Sequence, residues 1–195
     1  MDRPVLKTHS VIAKMCVLVI GLVLAFLFFA VCPPSENSDY VGCYRPVAER
    51  ILAGHGITDV DGRPATRYPL GYPLFIAACY VIADSVDIDR EQGMLWVQVF
   101  IYALSGVLIY LMAERVFAHV IPCGVATIFW LINPFNLWLL KQVNSEIPFI
   151  LFLYLALWLT LHCITIDHAP TTAKSSCNRL LIIGLCIGIF SGIRC

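Results

Sequence analysis

Met15–Cys32 reads MCVLVIGLVLAFLFFAVC, 18 residues without one formal charge. Roughly 20 apolar residues, each rising about 1.5 Å along a helix, cross the ~30 Å hydrocarbon core of a bilayer. Arg3, Lys7 and Lys14 precede the stretch and Pro33-Pro34 end it. A secretory signal peptide has the same charge order. Its apolar core is shorter, however, and Ala30-Val31-Cys32-Pro33-Pro34 is a poor cleavage site, so an uncleaved membrane helix is the better reading.

The rest of the chain repeats the pattern. Gly93–Met112, Val116–Leu140 and Ile147–Ile166 are also free of formal charge, and Leu180–Ile193 is a shorter run before Arg194. Hydrophobic residues make up 59% of the 195-residue chain and charged residues 13%. A soluble domain carries about twice that charge. The mean hydropathy of +0.82 agrees, and a zero net charge gives no basic excess for nucleic acid. The expected fold is an all-α membrane protein, a polytopic bundle of about five helices with spans near 13–32, 94–113, 117–136, 147–166 and 180–195. Gly184, Gly188 and Gly192 form a ladder of small residues suited to close helix contact. That last run is short for a span, which leads to the expectation that 1–195 is the N-terminal part of a longer transmembrane domain.

The basic N-terminal end places the N-terminus in the cytoplasm. Loop 33–92 and the residues around Lys141 then face the periplasm or lumen, in a bacterial inner membrane or an ER-type membrane. Leu70–Ala83 (LGYPLFIAACYVIA) is 14 apolar residues, a length that favours an interfacial or re-entrant helix over a span. If it spanned, everything after it would invert.

The outer loop gathers the polar residues. Glu36, Asp39, Glu49, Asp59, Asp61, Asp84, Asp87, Asp89 and Glu91 are nine of the chain's 13 acids. Loops this long without regular structure are functional or disordered, and the aromatic content argues for order. Cys43–Gly54 has a short amphipathic pattern, and Asp61-Gly62-Arg63-Pro64 reads as a turn. Asp39 follows the first span closely and has two readings, a carboxylate at headgroup depth or the N-cap of the next helix. Glu146 opens a long apolar run. It is either a functional acid at the membrane edge or a first-turn acid favoured by the helix dipole. On the topology above, the two acids share a side and a depth. Arg45, Lys141 and Tyr44 are candidate contacts to a lipid phosphate or substrate on that side, where guanidinium groups pair with phosphate in bidentate fashion. A carboxylate can take an acceptor's proton or help hold a metal. Asp39 and Glu146 are therefore also the candidates if a divalent metal is used.

Other signals are weak. The nine Cys form no CxxC pair, the five His show no metal spacing, and no GxGxxG or Walker A pattern suggests a nucleotide cofactor. No internal repeat supports a transporter built from inverted halves.

In this setting Ser38-Asp39-Tyr40, followed by Tyr44-x-x-x-Ala48-x-x-x-Leu52-x-Gly54, resembles the first outer loop of GT-C class membrane glycosyltransferases. Arg67-Tyr68-Pro69-Leu70-Gly71-Tyr72-Pro73-Leu74 resembles their following Arg-x-Pro-Leu-x-Tyr-Pro stretch. Asn133-Pro134 with Ser145-Glu146 is similar to their second outer loop, and Ser191-Gly192-Ile193-Arg194 to the approach to their third. The nearest likeness is to dolichyl-phosphate-mannose protein mannosyltransferases and polyprenyl-phosphate-sugar transferases. The resemblance implies a sugar donor linked through phosphate to a polyprenol, an acceptor (protein, lipid or glycan) on the periplasmic or lumenal side, and inversion at the anomeric carbon. It implies Asp39 as base or acceptor-positioning acid and Glu146 as the second acid, with Arg67 and Arg194 near the phosphate. A transporter and a non-catalytic fragment or assembly partner are the alternatives.

Overall fold

The computed structural model of the chain describes residues 3–66, 69–117, 119–166 and 184. Among them the chain is helical, with a single isolated bridge between Thr58 and Pro64. Helix α1 runs Arg3–Val31, a π-helical turn Tyr40–Tyr44 leads directly into α2 (Arg45–Leu52), and α3 covers Gly71–Ser85. Then follow α4 (Arg90–Phe117), α5 (Val120–Leu131), α6 (Pro134–Leu140) and α7 (Glu146–Ile166).

α4 is the central post, packed by α1, α3, α5 and α7. Small residues allow this. A Cβ added to Gly21 of α1 would sit 3.0 Å from the Cα of Ala103, and one added to Gly106 would meet the Leu131 side chain of α5 at 2.9 Å. Such contacts bring backbones close enough for dispersion to hold helices together where lipid removes the hydrophobic drive. On the outward faces Val19, Val23 and Leu27 of α1 and Ile121, Val125 and Phe129 of α5 are exposed. That apolar surface suits a lipid solvent.

Two helices, Val11–Val31 and Arg90–Phe117, are long and apolar enough to cross a membrane; the pair α5–α6 makes a third if counted as one span. Over the expected span 117–136 the helix is broken. Phe117 ends α4, and α5 and α6 are bent by 53° across Ile132-Asn133. Pro134 is the cause, since it lacks an N–H and pushes the preceding residue out of the helical region. Asn133 is extended and its Oδ1 accepts from the Phe135 amide at 2.9 Å. The carbonyls freed by the break are taken up by side chains. Asn136 Nδ2 donates to Trp130 O at 2.9 Å, and the Tyr102 hydroxyl donates to Leu131 O. The apolar part of α7, Glu146–His162, is shorter than a full span. The expected span at 180–195 lies outside the described residues.

α3 forms where an interfacial helix is expected at 70–83. It packs on α2 and on α4, burying Tyr72, Ile76 and Tyr80 while Leu74, Val81 and Ile82 stay exposed. The bundle has two polar ends. At one, Lys14 pairs with Glu114 at 3.0 Å and Arg115 meets His162 at 2.5 Å. The other carries the polar loops and both candidate acids.

Candidate functional site

The first acid is set by a local device. Asn37 Oδ1 accepts from the backbone amides of Asp39 (2.8 Å) and Tyr40 (3.3 Å), closing the entry to the π-turn. Asp39 itself makes no side-chain cap bond, and it is exposed. The N-cap reading of Asp39 is therefore corrected: Asn37 does that work two residues earlier. A π-turn widens the helix by one residue per turn, a distortion frequent at functional sites. Here it buries both Tyr40 and Tyr44 while leaving Asp39 outward.

Tyr40 meets Tyr80 of α3, hydroxyl to hydroxyl, at 2.5 Å. The Tyr44 ring stands edge-on to Tyr72, centroids 4.9 Å apart, and Tyr72 stacks on Phe75. These aromatic pairs fasten the π-turn to α3. Burial pushes the Tyr44 phenol above its ordinary value; a hydrogen bond with the Ser145 side chain pulls it back, and the carboxylates of Asp39 and Glu146 both raise it further. Tyr44 thus lies within electrostatic reach of both acids. Tyr72 is likewise held protonated, first by burial and then by neighbours that include Glu146 and Tyr44.

The second acid is delivered by loop 141–145. Ser35, just past α1, donates its amide to Lys141 O at 2.8 Å, and Gln142 Nε2 reaches the Ser35 hydroxyl at 3.3 Å. These bonds stitch the first polar loop to the second. Asn144 Oδ1 accepts from the Ile147 amide at 3.3 Å while its Nδ2 donates to Leu139 O at 2.6 Å. From α4, buried Gln98 donates to Gln142 O and accepts from the Asn144 amide, both at 3.0 Å. Glu146 then opens α7, half-buried, in the first turn where the helix dipole favours an acid.

The candidate cations divide. Arg45 is spent locally, donating from Nε to Glu49 at 3.0 Å and from Nη1 to Glu91. Lys141 is half-buried at the end of α6, and among the described residues no carboxylate pairs with it. Arg67 and Arg194 lie outside the described residues. No group of three His, Cys, Asp or Glu able to hold a metal ion occurs among the described residues.

A cavity of about 410 Å³ opens beside Tyr44, between the π-turn and α2 on one side and the start of α3 on the other. Its walls include Val47, Arg63, Thr66 and Leu70. The hairpin around Thr58 and Pro64 covers it, fixed by the Asp59 carboxylate, which accepts from the amides of Asp61 (2.9 Å) and Arg63 (2.8 Å). Arg50 Nε holds the hairpin to α2 through Thr58 Oγ1 at 2.6 Å. Sequence reasoning reached the turn at 61–64 but not the cavity, because its walls come from three separated segments. It also missed the grip of Gln98 on loop 141–145 and the bond of Ser145 to Tyr44. The signal for Gln98 was available, since a lone amide within an apolar helix needs partners.

The family profile described as Dolichyl-phosphate-mannose-protein mannosyltransferase matches residues 68–191. The match spans α3 to α7 and includes Glu146; Asp39 precedes it. No curated protein and no solved structure gives a significant match.

Proposed function

From the premise that this chain belongs to the dolichyl-phosphate-mannose-protein mannosyltransferase family, a family of membrane glycosyltransferases, we propose that it takes part in moving a sugar from a polyprenyl-phosphate carrier to a hydroxyl acceptor on the periplasmic or lumenal side. The observation that carries this reading is that Asp39 and Glu146, one from each polar loop, both lie within electrostatic reach of Tyr44 at one end of a membrane-type bundle. In the proposed reaction the acceptor hydroxyl gives its proton to a carboxylate, with Asp39 the first candidate. The acceptor oxygen then bonds the anomeric carbon from the face opposite the carrier. The bond from that carbon to the phosphate oxygen breaks, and polyprenyl phosphate leaves with the electron pair, inverting the centre. Glu146 serves as the second acid, orienting the acceptor. Lys141 is the described cation best suited to the phosphate. The cavity beside Tyr44 is proposed to receive the acceptor.

The proposed orientation keeps the N-terminus in the cytoplasm. It is supported by the stitching of Ser35 to Lys141 at one end and by the gathering of Lys14 and Arg115 at the other. The polar chemistry collects at the loop end rather than along the helix interiors, which favours transfer over transport. The experiment is transfer from dolichyl phosphate mannose to a Ser/Thr peptide in membranes carrying the protein. Asp39→Asn and Glu146→Gln are each expected to abolish transfer while expression stays intact. Undiminished transfer by both variants would overturn the site.

A further inference from the structure

Gln98 lies about two turns into α4, whose neighbouring residues are mostly apolar, and is completely buried. A buried amide without partners is costly, so its bonds identify what it is there to hold. Ser105 of α4 and Thr127 of α5, also buried, spend their hydroxyls on the carbonyl four residues earlier in their own helix. Gln98 does the opposite. Both of its polar atoms leave α4 and grip loop 141–145 across 44 and 46 residues of sequence.

The geometry of that grip is specific. Nε2 donates to the Gln142 carbonyl and Oε1 accepts from the Asn144 amide, so the peptide is held on both sides of Val143. Two bonds of opposite polarity fix the heading of the backbone as well as its height. Asn144 carries the constraint forward, since its side-chain Oδ1 accepts from the Ile147 amide in the first turn of α7. Between them stand Ser145, the hydrogen-bond partner of Tyr44, and Glu146.

We infer that Gln98 is a positioning residue for this site: through Gln142 and Asn144 it sets the place of Glu146 relative to Tyr44 and Asp39. The inference rests on the catalytic reading of Glu146, and it adds a residue inside the bundle that touches no substrate.

The test uses the full chain in membranes and two readouts. The first is labelling of carboxyl groups by a water-soluble carbodiimide, read by mass spectrometry, with Asp39 as internal reference. Gln98→Leu is expected to change the labelling of Glu146 relative to Asp39 several-fold. The second is transfer from dolichyl phosphate mannose to a Ser/Thr peptide, normalised to folded protein. Gln98→Leu is expected to lower kcat roughly 10- to 100-fold with the donor KM nearly unchanged, as a misplaced catalytic group does. Gln98→Glu is the conservative arm. Its protonated carboxyl can both donate to Gln142 and accept from Asn144, whereas the carboxylate can only accept. Its kcat relative to the parent chain is expected to recover as the pH is lowered into the mildly acidic range. Unchanged Glu146 labelling in Gln98→Leu, with kcat per folded molecule retained, would overturn the inference even where Glu146→Gln abolishes transfer. Altered labelling together with full activity of Glu146→Gln would instead sink the catalytic reading and leave the positioning intact.

Discussion

The hydroxyls of Tyr40 and Tyr80 meet at 2.5 Å, and both rings are buried. One belongs to the π-turn that follows Asp39 and the other to α3, so this bond ties the first acid to the body of the protein. Removing one hydroxyl leaves its partner buried and unsatisfied, which costs about 1–3 kcal/mol. Tyr40→Phe and Tyr80→Phe are each expected to lower stability by that amount, and the double variant by less than their sum. Thermal or denaturant unfolding in detergent micelles measures all three.

The phenols of Tyr40, Tyr44 and Tyr72 are all pushed above their ordinary value of 10.0, in each case chiefly by burial. Below that value folded and unfolded chains carry the same phenolic protons. Above it the unfolded chain loses protons that the folded chain keeps, so stability falls as pH rises. The unfolding midpoint is expected to be flat in this respect at neutral pH and to drop above about pH 10. Tyr44→Phe is expected to make that alkaline drop shallower. An unchanged alkaline slope in a stably folded Tyr44→Phe protein argues against a raised phenol there.

Arg45 and Lys141 differ in how their charge is met. Glu49 and Glu91 already surround Arg45, whereas no carboxylate among the described residues pairs with Lys141. A phosphate gains more from the second. Lys141→Ala is expected to raise the KM for dolichyl phosphate mannose roughly tenfold, the loss of one charge-assisted hydrogen bond. Arg45→Ala is expected to change it less. Donor titrations of the two variants decide the order.

Gly21 bears on packing alone. A side chain there meets the Ala103 backbone, which has no rotamer to turn away. Gly21→Leu is expected to separate α1 from α4 and cost about 1–3 kcal/mol by overpacking, with Gly21→Ala milder. Unfolding in micelles, or crosslinking between cysteines introduced on the two helices, reads the separation.

Much of this molecule was legible in the sequence because lipid imposes a simple rule on long uncharged runs. Met15–Cys32 and Gly93–Met112 announced α1 and α4, and the apolar run Leu70–Ala83 announced α3. The break at Asn133 was written in Pro134, yet the apolar run around it hid the bend, since hydropathy averages over geometry. Glu146 stood out by its place at the edge of a run. Asp39 read as a possible cap, and only hydrogen-bond geometry showed that Asn37 does that work instead. That both acids act on Tyr44 was not legible at all, because it depends on segments about 100 residues apart lying near one another.

The stitch between Ser35 and loop 141–142 has a temporal meaning too. Its side-chain bond joins residues 107 apart in sequence. As the chain emerges from synthesis, α1 and the first loop stand ready while α4, α5 and α6 are still to come. Until the second loop arrives, Ser35 has no partner there, and Gln98 of α4 has nothing to grip. Contacts of such long range form late in folding. Glu146 is therefore brought to its place beside the first loop only when the second loop docks.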